Sequence, residues 1–598
     1  MESSIVTILE DAHVPWFHSS GNDGGPTVSG RGHALVGDRY LEGQALVDHV
    51  RTTCAGPDTD AAADAVKRLT PTFDGCWVLV VQWPDGRLLA STDRLRCIPL
   101  FYGSTPTEFV LAADIEPVKK RLGRTRIDER SAFEFLTVGY VTGENTLYEG
   151  IYQVLPSEWL EVFPGPQGPR ITRSRYYRFY PTAPYVDTPE VELENELAAM
   201  LTDVFKPVGR WLFDDTVILP LSGGLDSRLI GAMLKKNGVR DVRCYSYGKA
   251  GNNQAAVSRQ VAQALGYPWT FVEYTGAGWA EAVDSPRMHD FWRYCSKGVS
   301  LPVFQDYPAA IQVAQQPFPR APLFYPGHSM DMLAGSHIPA DYPVLQAGGK
   351  TVVEQVLKSH YTLWPLNPAV RKAELFQRVC EKIERLSQAP WGDQAANRTA
   401  RFELWETENR QALFIVNSVR VFEFLGARWH VLWPYPLMEY FLKLPLPLRV
   451  RERIYINTLR KRVFVGKEAA LSIIPSADLG VLRDPAEMAG QRKATPVQDA
   501  LRAGLRQTLT TLHLRNFVHR LLLKPATDPL LFSWWFSHGR DPTSLTVGKA
   551  LAHYQTLDKL PRSLHCILKP ELDRRLDLGS CNGVLAAVAL GEICAERA

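Results

Sequence analysis

Residues 217–231 read VILPLSGGLDSRLIG, and this stretch constrains the fold of the chain more than any other. A short apolar run that stops at a glycine pair is typical of a buried parallel strand. Pro220 fits only near the end of such a strand, because proline donates no ladder hydrogen bond. The residues that follow, SRLIGAMLKKNG, have helical spacing and predict a helix that stops near Gly238.

A strand, a glycine turn and a helix N-terminus in this order form an anion site. Gly223 and Gly224 let the backbone approach a ligand closely, and the helix N-terminus favours phosphate. Asp226 would repel phosphate unless a hard cation such as Mg²⁺ lies between them. The turn therefore suggests magnesium-bound pyrophosphate, and the alternative is an ordinary strand-to-helix turn.

The pattern continues along the chain. VRCYSYG (242–248) predicts a second strand, residues 253–266 a helix that ends in glycine, and WTFVEYT (269–275) a third strand. Strands that alternate with helices indicate βαβ units and a parallel sheet, which binds ligands at the carboxyl ends of its strands. The segment lacks a Gly-x-x-x-x-Gly-Lys-Ser/Thr loop and a Gly-x-Gly-x-x-Gly turn, so two common nucleotide motifs do not apply.

The first ~180 residues predict a separate β-rich unit. CWVLVVQWPDGRLLASTDR has two strands around a Pro-Asp-Gly turn, a hairpin pattern, and IPLFYGSTPTEFVLAAD repeats that shape. A chain of 598 residues has room for two domains with ample core. We therefore expect a first domain over residues 1–180 and a second over residues 181–598.

Composition excludes several classes of protein. The net charge of +3 gives no case for a nucleic-acid partner. The nine cysteines show no Cys-x-x-Cys pair and no metal-ligand spacing, which favours a reducing cytosol over a disulfide framework or a zinc site. We see neither a signal peptide nor the ~20 apolar residues of a membrane span. The expected location is cytoplasmic, with no membrane partner.

The hexapeptide SGGLDS resembles the pyrophosphate loop of the ATP-pyrophosphatases, and the rest of the chain resembles the asparagine synthetase branch. That branch includes β-lactam synthetases, lasso-peptide cyclases and sugar amidotransferases. The resemblance implies an α/β protein with an Ntn-hydrolase-like β-rich sandwich followed by an ATP-pyrophosphatase domain with a parallel sheet and many helices. It also implies ATP and Mg²⁺. The residues implied to bind the nucleotide are Leu221, Ser222, Gly223, Gly224, Asp226, Ser227, Tyr247 and Gly327.

LFYPGHSMDMLAGSH (323–337) resembles the family's second signature, Ser-Gly-x-Gly-x-Asp-x-x-x-Gly-Gly. In that register Asp331 would join Asp226 on magnesium. His328 falls where the family handles the incoming amine, and a neutral imidazole can accept a proton near pH 7. The alternative is that His328 only forms a hydrogen bond in the turn. For His337 we expect a solvent-facing loop histidine.

The family also stabilises acyl transfer with a lysine near the C-terminal end of the active site. The resemblance implies Lys467, in VFVGKEAALSIIP, with Lys461 and Lys493 as rivals. Upstream of it, three polar residues share one helix face by spacing, and they form either an interior network or a solvated face. These residues are Asn417, Arg420 and Glu423. The aromatic segment LLFSWWFSHGRD (530–541) is either core or a wall of the substrate site.

DGCWVLVVQWPDGRLLASTDRLRCIPLFYG resembles the core of the family's glutaminase domain. A working glutaminase of this type matures to an N-terminal cysteine, whereas residue 2 here is Glu2 and the first cysteine is Cys54. We therefore expect no ammonia-producing chemistry from this domain, which then acts as a scaffold or as a surface for substrate or partner. We interpret Cys54, Cys76 and Cys97 as small apolar residues.

The resemblance implies a Mg-ATP-dependent, AMP-forming synthetase that couples a carboxylate to an amine. Without glutamine hydrolysis, we expect a substrate that carries its own amine, as in a peptide macrolactam formed by a lasso-peptide cyclase. The alternative is an amidotransferase that joins ammonia to a sugar acid or another small carboxylate, and a non-catalytic scaffold is the third interpretation. The expected partners are that peptide or small carboxylate and, for a cyclase, a protease or a leader-peptide-binding protein.

Overall fold

The computed structural model describes residues 4–476, apart from residues 12, 21–24, 56–57, 182–183, 276–277, 279–284, 319–320, 364–365, 367 and 391–396. The rival candidate Lys493 and the aromatic segment 530–541 lie outside the described residues.

Strands occur in both halves of the described chain. They are β1 (Ser4–Ile8), β2 (Phe17–Ser19), β3 (Thr27–Val36), β4 (Arg39–Glu42), β5 (Asp74–Gln82), β6 (Leu88–Thr92), β7 (Phe101–Ser104), β8 (Glu108–Ala112), β9 (Ile151–Gln153), β10 (Glu158–Phe163), β11 (Arg170–Arg175), β12 (Thr216–Pro220), β13 (Asp241–Gly248), β14 (Trp269–Glu273), β15 (Leu323–Phe324) and β16 (Arg428–Trp429).

Most of the helices follow residue 189. The α-helices are Gln44–Thr53, Thr59–Leu69, Ile115–Leu122, Glu129–Val138, Glu190–Trp211, Leu225–Lys236, Asn253–Leu265, Pro286–Ser296, Tyr307–Ala314, Met330–Ala334, Tyr342–Gln346, Val352–His360, Pro368–Lys372, Glu374–Leu386, Arg398–Trp405, Arg420–Phe424, Tyr435–Leu442, Leu446–Arg449, Arg453–Thr458 and Ala470–Ile473. Glu406–Ile415 and Leu459–Val463 are π-helical, and the 3₁₀ turns are Thr70–Thr72, Phe304–Asp306, Val416–Val419, Val450–Glu452 and Gly466–Glu468.

The N-terminal part consists of two sheets. The larger has the order β11-β10-β6-β5-β3-β2, with β4 paired to β3, and the smaller has the order β1-β8-β7-β9. Alternation along β5 places Cys76, Val78 and Val80 on the face that joins the main core, while Trp77 and Leu79 pack under the first two helices. Both predicted hairpins are present, as the antiparallel pairs β5–β6 and β7–β8.

The third sheet is fully parallel, with the order β14-β13-β12-β15-β16. The predicted strands and helices of residues 217–275 are present within two residues of their expected bounds, and Pro220 is the last residue of β12. Gly266 closes the helix Asn253–Leu265 in the left-handed conformation. The predicted fold class is confirmed, with a β-rich N-terminal region and a parallel sheet surrounded by helices.

Buried charges connect the N-terminal sheets to the helical part. Arg31 on β3 forms an ion pair with Glu423 at 2.6 Å, and both side chains are at most 6% exposed. Arg420 pairs with Glu423 from the same helix and also donates to the carbonyl of Cys97. Asn417 donates to the carbonyl of Cys295 at 2.7 Å. The interior interpretation of this helix face is therefore confirmed, and the solvated one is wrong.

Within the described ranges, no helix combines the length and the apolar character that a membrane crossing requires.

Candidate active site

The loop SGGLDS (222–227), here called the phosphate-type loop, follows the carboxyl end of β12, the central strand of the parallel sheet. Gly224 is the N-cap of helix Leu225–Lys236 and makes no side-chain capping bond, so the backbone donors of the first turn are available to a ligand. Ser222 Oγ accepts a hydrogen bond from the Gly224 N–H at 3.1 Å and lies 3.1 Å from Ser227 Oγ. Two hydroxyls thus flank the free amides at the predicted anion site.

A second loop, residues 326–329, crosses this turn at contact distance. A Cβ atom added to Gly327 would lie 2.5 Å from the backbone nitrogen of Ser227, which only a glycine avoids. Ser329 adopts the left-handed conformation, with φ of 75°. The predicted Gly327 therefore belongs to the site through close backbone packing against the loop.

Asp226 and Asp331 meet where the two loops cross. The Asp331 N–H donates to Asp226 Oδ2 at 3.0 Å, and the Tyr455 hydroxyl donates to Asp226 Oδ1 at 2.9 Å. Burial, and secondarily the charge of Asp331, raise the pKa of Asp226 well above its usual range. Two aspartates brought together in this way fit a hard divalent cation, which would balance their charge.

Two clefts open on either side of the crossing loops, with cavity volumes of about 150 Å³ and about 410 Å³. The larger lies within the size range of ligand sites. The two clefts share the side chains of Ser222 and His328 and the backbone of Gly327. The smaller cleft is lined mainly by the ends of β12 and β13, and the larger contains both carboxylates.

Tyr247, which the resemblance implies as a nucleotide-binding residue, lines the smaller cleft. Its hydroxyl donates to Asp306, and its ring stacks on Tyr274 with centroids 5.1 Å apart. Burial raises the pKa of Asp306 to about 6. Leu221, also in the predicted set, lines the same cleft beside Ser246. Because the Tyr247 proton is used in its hydrogen bond to Asp306, the pair offers acceptor oxygens to a ligand in the smaller cleft.

His328 stands at the junction of the two clefts. Its Nδ1 lies 3.0 Å from Ser418 Oγ, within hydrogen-bonding distance. Burial lowers the pKa of the imidazole to about 4, against a smaller opposing effect of Asp331. The ring is therefore neutral at pH 7, as expected, but it is a weaker base than a histidine that titrates near 7.

His337 is not the solvent-facing loop histidine that we expected. Its Nδ1 lies 2.9 Å from Glu406, its Nε2 lies 3.9 Å from Asp331, and the side chain is 21% exposed. His360 Nε2 forms a hydrogen bond with the same carboxylate. Burial alone would raise the pKa of Glu406, but His360 and His337 lower it well below its usual range. Because the contact between residues 337 and 406 is long-range, no local pattern could have revealed it.

The lysine predicted for acyl transfer is not brought to the clefts. Lys467 is exposed in the turn Gly466–Glu468 and lines neither cleft. Its rival Lys461 is paired with Glu194 at 2.6 Å. The assignment of Lys467 stays a prediction without geometric support in the described residues.

Sequence reasoning missed Arg228, a fully buried residue on the first turn of the phosphate-loop helix. Its guanidinium donates to the carbonyls of Leu471, Ile474 and Pro475 at 2.8, 2.9 and 3.1 Å. It thereby fixes segment 471–475 against the loop, next to Ser476 on the larger cleft. A charged residue directly after the Asp-Ser pair, at the start of the apolar stretch LIGAML, was the available signal.

One family model, described as asparagine synthase, matches residues 209–290. The match covers β12, the phosphate-type loop, β13 and β14. No curated protein matches the chain. The family match supports a relation to the asparagine synthetase family, whose members are ATP-dependent ligases, and hence ATP-dependent formation of an amide bond in general.

Proposed function

We propose that this protein is an AMP-forming amide synthetase that adenylates a carboxylate of its substrate and transfers the acyl group to an amine. The observation that carries the proposal is the pair of Asp226 and Asp331, which the hydrogen bond from the Asp331 N–H holds at the mouth of the phosphate-type loop. A carboxylate pair beside free helix-terminal amides fits a nucleotide whose phosphate charge is balanced by a cation.

Asp226 and Asp331 would hold Mg²⁺, which when bound would screen the phosphates and stabilise charge on the departing pyrophosphate. The free backbone amides in the first turn of helix Leu225–Lys236 and the hydroxyls of Ser222 and Ser227 would donate to phosphate oxygens. Such donors are fixed before the reaction and stabilise charge without reorganising. Tyr247 in the smaller cleft would orient the nucleoside.

The reaction has two steps. A substrate carboxylate oxygen attacks the α-phosphorus of ATP, the bond to the β-phosphate oxygen breaks, and pyrophosphate leaves. The amine nitrogen then attacks the acyl carbon, the bond to the AMP oxygen breaks, and the amine releases a proton. His328 lies between the clefts with a neutral ring. It would orient the amine and accept that proton.

The expected amine is carried by the substrate itself. Burial raises the pKa of the Cys54 thiol to about 11 and that of Cys97 well above its usual range, so neither is suited to attack glutamine. The larger cleft, of about 410 Å³, is separate from the cleft that Tyr247 lines and contains both carboxylates, so a substrate can approach the phosphates from that side. These features favour a peptide whose α-amine closes onto an Asp or Glu side chain, as in lasso-peptide cyclases.

ATP–pyrophosphate exchange tests the first step, with the full chain and candidate carboxylates supplied one at a time. The panel pairs a peptide that has a free α-amine and an internal Asp or Glu with the same peptide acetylated at its N-terminus. The proposal is supported if both peptides support exchange but only the peptide with the free α-amine gives cyclised product and AMP. Product formed from a small carboxylate and ammonium, with neither peptide active, would favour the amidotransferase. Absence of exchange with every carboxylate would contradict adenylation.

A further inference from the structure

Three metal-binding side chains meet in the buried contact between the N-terminal sheets and the parallel sheet. His33 Nε2 lies 2.8 Å from His430 Nδ1, and these two atoms and Cys76 Sγ all lie within 4.8 Å of one another. Each of the three residues is at most 5% exposed. The cluster is remote in sequence from the phosphate-type loop and lines neither cleft of the candidate active site.

The backbone explains why these side chains converge. His33 on β3 is the direct cross-strand partner of Cys76 on β5, so both side chains project from the same face of the sheet. His430 follows β16, the edge strand of the parallel sheet, and its N–H donates to the carbonyl of Phe324 at 2.9 Å. Two separate sheets therefore hold the donor atoms in place.

A fourth polar group next to the cluster has no partner. Tyr325 is fully buried, and its hydroxyl makes no hydrogen bond in the described structure. Its ring lies edge-on to the His430 ring, with centroids 4.8 Å apart. Burial, and secondarily the proximity of Cys76, raise the pKa of this hydroxyl well above its usual range. A buried hydroxyl without a partner is costly, and a bound ion would satisfy it.

We propose that His33 Nε2, His430 Nδ1 and Cys76 Sγ bind one divalent transition-metal ion, for which Zn²⁺ is the best fit. Tyr325 supplies the fourth donor, either directly or through a water molecule. Two imidazoles and a thiolate form a borderline-soft donor set that suits zinc and does not suit magnesium.

Ion binding requires a change of protonation within the cluster. His33 Nε2 and His430 Nδ1 share a hydrogen bond, so one of these two nitrogens carries a proton, which must move to the other nitrogen of its ring before both can bind the ion. Binding replaces the thiol proton of Cys76. Tetrahedral geometry separates two nitrogen ligands by ~3.3 Å, so the imidazoles need to move apart by only ~0.5 Å.

The charged groups around the cluster are already paired. Arg428, whose charge acts on His33, is bound by Glu42 at 2.7 Å and by Asp215 at 3.0 Å. Asp74 accepts a hydrogen bond from the Tyr435 N–H. Because the three ligands are buried and line neither cleft, a substrate has no access to the ion, which is therefore structural. It would fasten the N-terminal sheets to the parallel sheet.

Cobalt substitution tests the site directly. The purified full chain is treated with a chelator under reducing conditions and titrated with Co²⁺. We expect about one ion per chain, a near-ultraviolet thiolate-to-cobalt charge-transfer band, and loss of that band when Zn²⁺ is added. A folded protein without the band would overturn the proposal. An oxygen-ligated ion at Asp226 and Asp331 cannot produce this band, so the result is independent of the proposed function.

Variants identify the ligands. Cys76→Ser should abolish the charge-transfer band and His430→Gln should weaken cobalt binding, whereas Cys54→Ser, which alters another buried cysteine, should keep both. Zn²⁺ should raise the unfolding temperature of the wild type and of Cys54→Ser but not that of Cys76→Ser. A band that persists in Cys76→Ser would overturn the assignment. If a ligand variant does not fold, the wild-type titration still decides the outcome.

Discussion

The backbone N–H of Asp331 lies 3.0 Å from Asp226 Oδ2 and donates a hydrogen bond to it. This contact connects the loop after β12 to the loop after β15, and Gly327 allows it because a side chain there would collide with Ser227. The Asp331 backbone therefore stays beside the Asp226 carboxylate, although burial and the charge of Asp331 disfavour ionisation of that group. The contact depends on backbone geometry.

Replacing Asp226 with asparagine should remove activity without harming the fold. The amide can still accept from the Asp331 N–H, but it carries no charge for a cation, so ATP–pyrophosphate exchange should fall at least about 100-fold. Because burial disfavours the ionised carboxylate, the unfolding temperature should not decrease. Asp241→Asn is the matched control, since Asp241 lies at the start of β13 and pairs with Arg243. Exchange near the wild-type rate in Asp226→Asn would contradict the assignment.

A single methyl group at position 327 should separate the two loops. The Cβ of Gly327→Ala would lie 2.5 Å from the Ser227 nitrogen, so the backbone must shift. Catalytic geometry is lost with displacements of about 1 Å, and we expect exchange to fall by about 100-fold. Near-normal exchange, measured with circular dichroism to verify folding, would show that the loops tolerate separation.

The strands, helices and loop of residues 217–275 could be predicted because each depends on local patterns. Apolar runs, glycine stops and a proline at a strand end are all visible within a few residues. His337 could not be predicted in this way, because its position is decided by Glu406 on a π-helix.

Long-range contacts also bring together residues that no local pattern connects. The cysteine spacing argued against a metal site, yet β3–β5 pairing and β16 bring Cys76 next to His33 and His430. The pairing register cannot be derived from one sequence without knowing which strands are neighbours. The assignment of Lys467, which was made by resemblance, stays a prediction, because the residue lines neither cleft.

The ion pair of Arg31 and Glu423 should contribute strongly to stability. Arg31→Met leaves a buried carboxylate with one fewer partner, and breaking a buried pair typically costs about 3–5 kcal/mol. The matched control is Arg240→Met, because Arg240 and Asp214 form an exposed pair. We expect a clear loss of unfolding temperature only in Arg31→Met. Equal effects of the two substitutions would mean that the buried pair contributes no more than a surface pair.

The stability of the protein should depend on pH because of the carboxyl group of Asp306. Burial raises its folded pKa to about 6, above the unfolded value of about 3.9. The contribution of Asp306 to the free energy of unfolding is therefore fully present below about pH 4 and is lost as the pH rises to about 6. Asp306→Asn cannot ionise and should gain stability relative to the wild type across that window, by about 1–2 kcal/mol since the residue is only half-buried.

Thermal unfolding of both proteins between about pH 4.5 and pH 7.5 measures this difference. Because the hydrogen bond from Tyr247 favours the ionised carboxylate, Tyr247→Phe should raise the pKa of Asp306 and extend the window to higher pH. A constant difference between Asp306→Asn and the wild type would show that this carboxylate titrates normally.

His328 should affect acyl transfer and leave activation intact. The ring is neutral above about pH 5, since burial lowers its pKa to about 4. The attacking α-amine has a reference pKa of about 8 and must lose a proton. Losing a proton acceptor typically slows a reaction by about 10²–10⁴. His328→Ala should therefore keep pyrophosphate exchange while amide formation slows and acyl-adenylate accumulates, as single-turnover mass spectrometry would show.

Ser418→Ala distinguishes the hydrogen bond that the His328 ring forms with Ser418 from the proposed role of the ring as proton acceptor. It removes the hydroxyl 3.0 Å from Nδ1 but keeps the imidazole, so amide formation should fall much less than in His328→Ala. The wild-type rate should rise with pH towards the pKa of the amine and show no limb near 6.5, because His328 does not titrate there. Equal loss of exchange and product in His328→Ala would place the residue in ATP binding or folding. If His328→Ala keeps both exchange and product formation, His328 serves only to form the hydrogen bond with Ser418. The amine proton would then leave through another group or through water.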